Sequence, residues 1–267
     1  MKIDPKNDQA DLFDLQGISY AYMTEQPVLD SLDLKIHSKT ALAILGANGS
    51  GKSTLLKLLA GLIYPTGGHF YAFGHEVNEK AFLSLDFLRF FRKQVGFVFQ
   101  NSDAQLFSAS VWDEIAFAPL QSGLGGEETK NRVQDTARFL EIEDLLDRPP
   151  YQLSGGEKKK VALASVLSMN PSVLFLDEPT NGLDPRTQFW LVDFLKSLAG
   201  TGKTIITATH DLSIVEEIAQ RVIILDETHK LAADGPVQEI LSDRDLLLKV
   251  NLIHEHSHFH LGGTHPH

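Results

Sequence analysis

Apolar and polar positions follow two rhythms along this chain. Residues 15–22 ("LQGISYAY") and 33–46 ("DLKIHSKTALAILG") are rich in Ile, Leu, Ala and Tyr and bounded by polar or turn residues, which predicts strands. Within the second, "ALAIL" is apolar at every position, as in a strand buried on both faces of a mainly parallel sheet. Residues 52–62 ("KSTLLKLLAGL") read as a helix that "YPTGGHF" breaks. Residues 107–150 carry helical spacing, clearest in Val133, Ala137 and Leu140, and Pro149 and Pro150 close the region. A helix over 156–170, a strand over 172–179, a helix opening at Asp184 and Pro185, and a strand over 203–210 follow. Asp as cap, Pro at the first helical position and Gly200 beyond the end fit the preferences of helix termini. Strands alternating with helices predict an α/β core, interrupted by a mostly helical insertion over about 105–165. No internal repeat is visible.

Composition narrows the function classes. The chain has 267 residues, 43% hydrophobic and 22% charged, ordinary for a packed globular protein. Its formal charge of -11, from 35 acidic and 24 basic residues, argues against nucleic acid as a partner, because sequence-independent binding neutralises phosphates with Lys and Arg. Absence of cysteine excludes disulfides and thiolate metal sites. The first sixteen residues are polar, unlike a signal peptide, and no apolar run approaches the roughly 18 residues of a membrane span. A soluble chain that meets a membrane only peripherally is expected.

The chemistry begins at residues 46–54, "GANGSGKST", which fit G-x-x-x-x-G-K-[ST] between a predicted strand and a predicted helix. Glycines let backbone N–H groups turn toward phosphate oxygens, and the helix N-terminus favours the anion. Lys52 would neutralise β/γ-phosphate charge and Ser53 would ligate Mg²⁺. A second apolar strand, "VLFLDEP", ends in Asp177 and Glu178. Asp177 would hold the magnesium, and Glu178 is placed to act as general base toward an attacking water. "LSGGE" at 153–157 offers another glycine-exposed set of N–H groups ahead of a helix, although the P-loop is already complete. Two half-sites on one chain suggest halves that meet between two copies.

Taken together, these motifs resemble those of the nucleotide-binding subunit of an ATP-binding-cassette (ABC) transporter, over residues 12 to 245. Gly46, Ala47, Asn48, Gly49, Ser50, Gly51, Lys52, Ser53 and Thr54 match the Walker A loop, Gln100 the Q-loop, and Leu153, Ser154, Gly155, Gly156 and Glu157 the signature. Asp177 and Glu178 match Walker B, Asp184 in "NGLD" the D-loop, and His210 in "TATHD" the switch histidine. Tyr22 matches the aromatic that stacks on adenine, with Tyr20 as the second choice. The resemblance implies a P-loop NTPase (RecA-like) core with a mainly parallel sheet, an N-terminal antiparallel β subdomain and an inserted α-helical subdomain, spanning 12–247. It further implies an ATPase with ATP and Mg²⁺ as cofactors, in which two subunits, identical or paralogous, sandwich ATP head to tail. Glu178, His210 and Gln100 would serve catalysis, and Gln100 would join Ser53 and Asp177 around the magnesium. Lys39 and Thr40 replace a common Gly-Glu before the P-loop strand. Lys158, Lys159 and Lys160 stand where many relatives have Gln and Arg, without the bidentate geometry of Arg.

After Gln100, the segment "FQNSDAQLFSASVWDEIAFAPLQSGL" resembles the energy-coupling-factor importers, in the branch serving cobalt and nickel. Asp103, Gln105, Leu106 and Phe107 fill its D-x-Q-L-F places, and exposed Leu106 and Phe107 would contact integral membrane subunits through residues 100–107. The implied task is uptake of Co²⁺ or Ni²⁺ from the cytoplasmic face of the membrane. The same body is compatible with vitamin uptake or with Zn or Mn import. Soluble ABC ATPases of DNA repair or translation form another class. The former place a long coiled coil between P-loop and signature, and the latter usually carry two cassettes and basic segments; neither feature is present. Residues 248–267 form a His-rich tail, with six of the eleven histidines in its last fourteen residues. His254, His256, His258 and His260 fall on one side of an extended chain and suit Ni²⁺ or Co²⁺.

Overall fold

A computed structural model describes residues 11–23 and 26–253. The tail histidines therefore lie outside the described residues. In chain order the strands are β1 (Asp11–Tyr20), β2 (Leu29–His37), β3 (Ala41–Leu45), β4 (Gly67–Ala72), β5 (His75–Glu76) and β6 (Val95–Val98). Four more follow: β7 (Val173–Asp177), β8 (Thr204–Ala208), β9 (Arg221–Leu225) and β10 (Leu231–Pro236). The helices are α1 (Lys52–Leu59), α2 (Leu85–Gln94), α3 (Val111–Gln121), α4 (Gly126–Phe139) and α5 (Gly155–Leu167). After them come α6 (Pro185–Gly200), α7 (Leu212–Ile218), α8 (Val237–Ser242) and α9 (Arg244–Lys249).

The apolar strands build a six-stranded sheet in the order β10-β9-β3-β8-β7-β6, parallel from β9 to β6 with β10 antiparallel at the edge. Alternation along these strands divides the molecule into two cores. Leu42, Ile44, Phe175 and Ile206 face one side, packed with α1 and with the second sheet, an antiparallel one in the order β2-β1-β4-β5. Ala43, Leu45, Leu174 and Leu176 face the other side, against helices α3 to α7. Phe175 sits fully buried, 5.8 Å from the Phe13 ring and 6.4 Å from Phe97, and truncating it to Ala would cost about 3–5 kcal/mol. The expected α/β P-loop architecture with its antiparallel sheet is borne out.

Several local expectations are corrected. Residues 33–46 are two strands in different sheets, parted by a turn in which Lys39 takes a left-handed φ of 60°. The stretch between 62 and 105, in which no element was expected, contains β4, β5, α2 and β6. Helix α2 carries helical spacing in Phe87, Leu88 and Phe91, and of these Phe91 alone is fully buried. Helix α1 stops at Leu59, where Gly61 (φ 65°) turns the chain. There Leu62 N–H donates to Lys57 C=O and Gly61 N–H to Leu58 C=O, as in a Schellman ending. A Cβ on Gly61 would also come within 2.9 Å of the Phe82 and Phe91 rings. Helix α6 opens as expected, its cap Asp184 accepting from Thr187 N–H. It runs through Gly200, and the left-handed residue beyond its end is Gly202.

Candidate active site

The parallel sheet positions the site. Its neighbouring strands β3, β8, β7 and β6 all end at one edge, and open α/β sheets bind ligands outside those carboxyl ends. Pairing of Ile44 with Ala208, and of Ala208 with Asp177, brings the residues that follow each strand to one level. A cleft of about 360 Å³ there is lined by Asn48, Gly49, Gly51, Lys52, Ser53, Thr54, Gln100, Glu178 and His210, which span 163 positions of sequence, together with Val28 and Asn181. Neither of the last two was singled out in the sequence.

The loop between β3 and α1 depends on glycine. A Cβ on Gly46 would lie 2.4 Å from Ser50 Oγ, and Gly51 adopts a φ of 107° with a Cβ position 2.5 Å from Val28 C=O. Ala47 completes the loop, and buried Lys52 folds back across it, donating from Nζ to Gly46 C=O at 2.8 Å and Ala47 C=O at 3.1 Å. Ser53 Oγ donates to Asp177 Oδ1 at 2.8 Å. Burial pushes the Lys52 pKa down despite the nearby Glu178 and Asp177. Burial pushes Asp177 up, against the Ser53 hydrogen bond. The cation is driven toward losing a proton and the carboxylate toward gaining one, so a polyanion with a divalent cation would relieve both.

Glu178 has a left-handed φ of 43°, a strained setting for a residue other than glycine. His210 Nδ1 lies 2.9 and 3.0 Å from its two carboxylate oxygens, Thr209 Oγ1 donates to it at 3.2 Å, and Lys52 Nζ stands 4.0 Å away. Tyr22, half exposed, places its hydroxyl 3.3 Å from Thr54 Oγ1 and meets the Tyr20 ring edge-on at 5.0 Å.

The signature residues are elsewhere. Ser154, Gly155, Gly156 and Glu157 line a second recess with Asp184, Thr187, Lys160 and Trp190, and no residue is common to the linings of the two. Ser154 caps α5 in a capping box: Ser154 N–H and Oγ both donate to Glu157 Oε2 at 2.7 Å, and Glu157 N–H returns to Ser154 Oγ. The Ser154 hydroxyl and N–H hold the Glu157 carboxyl below its ordinary range. Asp184 likewise accepts from the Thr187 hydroxyl at 2.6 Å and N–H at 3.1 Å. The three lysines of α5 have different tasks. Lys158 pairs with Asp103 at 2.6 Å, Lys159 donates to the Phe99 and Gln100 carbonyls, and Lys160 sits over the Trp190 ring at 4.6 Å. After Gln100, Phe107 is exposed and stands edge-on to exposed Phe117. Leu106 is instead packed against the helical core, which corrects the expectation that both are exposed. Glu114, buried, accepts from the N–H groups of Phe107 and Ser108 at 3.0 and 2.7 Å and fixes this segment.

The sequence profile of the ABC transporter family matches residues 29–181. A putative ABC transporter ATP-binding protein of Methanosarcina acetivorans is 53% identical, over 93% of this chain and 91% of that one. The nickel import ATP-binding protein NikO of Rhodobacter capsulatus is 46% identical, over 90% and 95%. Among solved structures, cbiO1 from Clostridium perfringens, described as part of the ABC transporter complex cbiONQ, superposes with a TM-score of 0.78 at 34% identity, covering 91% and 95%. With a complete P-loop and both carboxylates at its strand ends, the chain belongs to the ABC transporter family and is an ATP-hydrolysing subunit of that family.

Proposed function

We propose that this chain powers import of a transition-metal ion, Co²⁺ or Ni²⁺, as the ATPase subunit on the cytoplasmic face of a membrane complex. One observation supports the ATPase half of the reading: Ser154, Gly155 and Gly156 line none of the cleft that holds Lys52, Ser53, Glu178 and His210, and a smaller recess between Gln100 and Gly155 lies between the two. Two copies, or this chain and a paralogue, would bind head to tail, each signature closing the other's P-loop. The metal half is supported by the likeness to a nickel import protein and by the D-x-Q-L-F places at Asp103, Gln105, Leu106 and Phe107. Exposed Phe107 and Phe117 offer the membrane subunits an apolar foothold beside Gln100. Among the described residues no helix is long and apolar enough to cross a membrane. His254, His256, His258 and His260 would collect metal ions near the subunit.

Ser53 Oγ and Asp177 Oδ1, hard oxygens 2.8 Å apart, suit Mg²⁺, with Gln100 lining the same cleft. The ion would supply positive charge to the phosphate oxygens. Lys52 exchanges its loop carbonyls for the β- and γ-phosphates, and the N–H groups opening α1 face the same anion. The Tyr22 ring stacks on adenine. As a water oxygen bonds to the γ-phosphorus and the bond to the bridging oxygen breaks, Glu178 takes the water proton, leaving ADP and inorganic phosphate. His210 Nδ1 aims that carboxylate, which leaves Nε2 to meet a γ-phosphate oxygen. From the second copy, Ser154, Gly155 and Gly156 close on the γ-phosphate, and Asp184 approaches beside them.

The test is transport by the reconstituted complex, given Co²⁺, Ni²⁺ and Zn²⁺ separately. ATP-dependent uptake of cobalt or nickel is expected. Uptake of zinc alone, or of no metal while a vitamin is carried, would refute the metal assignment.

A further inference from the structure

Residues that leave β6 are fastened to the signature helix by side chains outside the ATP chemistry. Lys159 is only 2% exposed, yet among the described residues no carboxylate lies within 4.0 Å of it, and its Nζ donates to Phe99 C=O at 3.4 Å and Gln100 C=O at 3.3 Å. Gln105 works from the opposite direction. Its Oε1 accepts from Phe99 N–H at 3.1 Å, while its Nε2 donates to Ala162 C=O at 2.9 Å and Ser165 Oγ at 3.3 Å on α5. Both backbone poles of Phe99 are thus tied to one helix. The Lys158–Asp103 pair joins the same two segments but is largely exposed at Asp103, and exposed pairs contribute little. Burying this cation is unfavourable, and the more distant Asp177 carboxylate offsets only part of that cost. An apolar side chain of similar length would fill the space, so the distinct contribution of Lys159 is two donors directed at the Q-loop.

We propose that Lys159 and Gln105 are positioning residues that make the Q-loop and the signature helix one rigid lever. Helix α5 runs unbroken from Gly155 to Leu167, with Ser154 as its cap. A push on residues 99–107 by a membrane subunit therefore carries Ser154, Gly155 and Gly156 with it, toward or away from the partner's P-loop. The inference rests on the sandwich and membrane-coupling reading above.

The experiment compares wild-type, Lys159→Met and Gln105→Ala proteins, as isolated subunits and in the complex with membrane subunits reconstituted in proteoliposomes. Lys159→Met should hydrolyse ATP as an isolated subunit with kcat and KM close to wild type. In the complex, stimulation by the membrane subunits should fall by roughly 3- to 30-fold, the range over which coupling elements act. Ions carried per ATP should fall with it, and Gln105→Ala should lose stimulation in the same direction, so the test stands even if Lys159→Met does not fold. Wild-type stimulation in both variants would overturn the lever, as would equal losses in isolated subunit and complex. A wild-type complex with no stimulation at all would instead refute membrane coupling itself, and the lever with it.

Discussion

His210 Nδ1 meets both carboxylate oxygens of Glu178, at 2.9 and 3.0 Å, across the ends of β7 and β8. In the tautomer that carries its proton on Nδ1, His210 donates to an ionised Glu178 carboxylate and leaves Nε2 free. Together with Thr209 Oγ1 and the left-handed backbone at Glu178, the contact fixes where the carboxylate points. Its aim is held by groups on a neighbouring strand end, a preorganised setting for a base.

Glu178→Gln should keep MgATP binding and lose hydrolysis by about 10² to 10⁴, the usual contribution of a general base. The amide preserves shape but cannot take the proton. Steady-state phosphate release and nucleotide titration measure the two effects, and near-normal turnover would remove Glu178 from that role.

Stability should respond to Lys159 in a pH-dependent way. Burial lowers its pKa from 10.5 to about 8, so the folded state gives up the proton before the unfolded state does. The cost of burying the charge is complete below about pH 8 and vanishes as pH rises toward 10.5. Lys159→Met should therefore be more stable than wild type at neutral pH by at most about 3 kcal/mol. Urea unfolding at neutral pH and at pH ~9.5 should show the gap closing. A gap that widens with pH would contradict the charged state assigned to Lys159.

Truncation after Leu252 should leave ATP hydrolysis nearly unchanged and abolish most Ni²⁺ or Co²⁺ binding to the isolated subunit. The chemistry assigned to ATP lies at or before His210, and the remaining histidines (His37, His69, His75, His210 and His229) are scattered. Among the described residues, no group of three or more His, Asp or Glu is placed to hold a metal ion. Binding should weaken below pH ~6.5, where imidazole takes up a proton. Calorimetry on both forms decides, and equal binding would leave the tail without a role in metal capture.

The cleft was legible because its chemistry sits in short motifs. Glycine spacing marked the loop at 46–51, and apolar runs ending in Asp177 and His210 marked strands whose ends carry polar groups. Tertiary fastenings were not legible. Lys159 reads as one of three like charges, and only packing shows that it is buried against two carbonyls while Lys158 and Lys160 take other partners. Leu106 and Phe107 are adjacent and equally apolar, but Glu114 holds the backbone so that one packs inward and the other faces out. Strands β4 and β5 were missed because glycines open the one and the other is only two residues long, whereas the helical spacing of Phe87, Leu88 and Phe91 in α2 was present and went unread.

If one chain holds halves of two different ATP sites, light scattering on the Glu178→Gln protein will show it. MgATP should convert monomers to dimers that trap two nucleotides, and adding Ser154→Arg, which sets a bulky cation at the signature, should keep the protein monomeric with ATP still bound at its P-loop. A monomer that holds MgATP without associating, or a dimer indifferent to Ser154→Arg, would rule out a site shared between two chains.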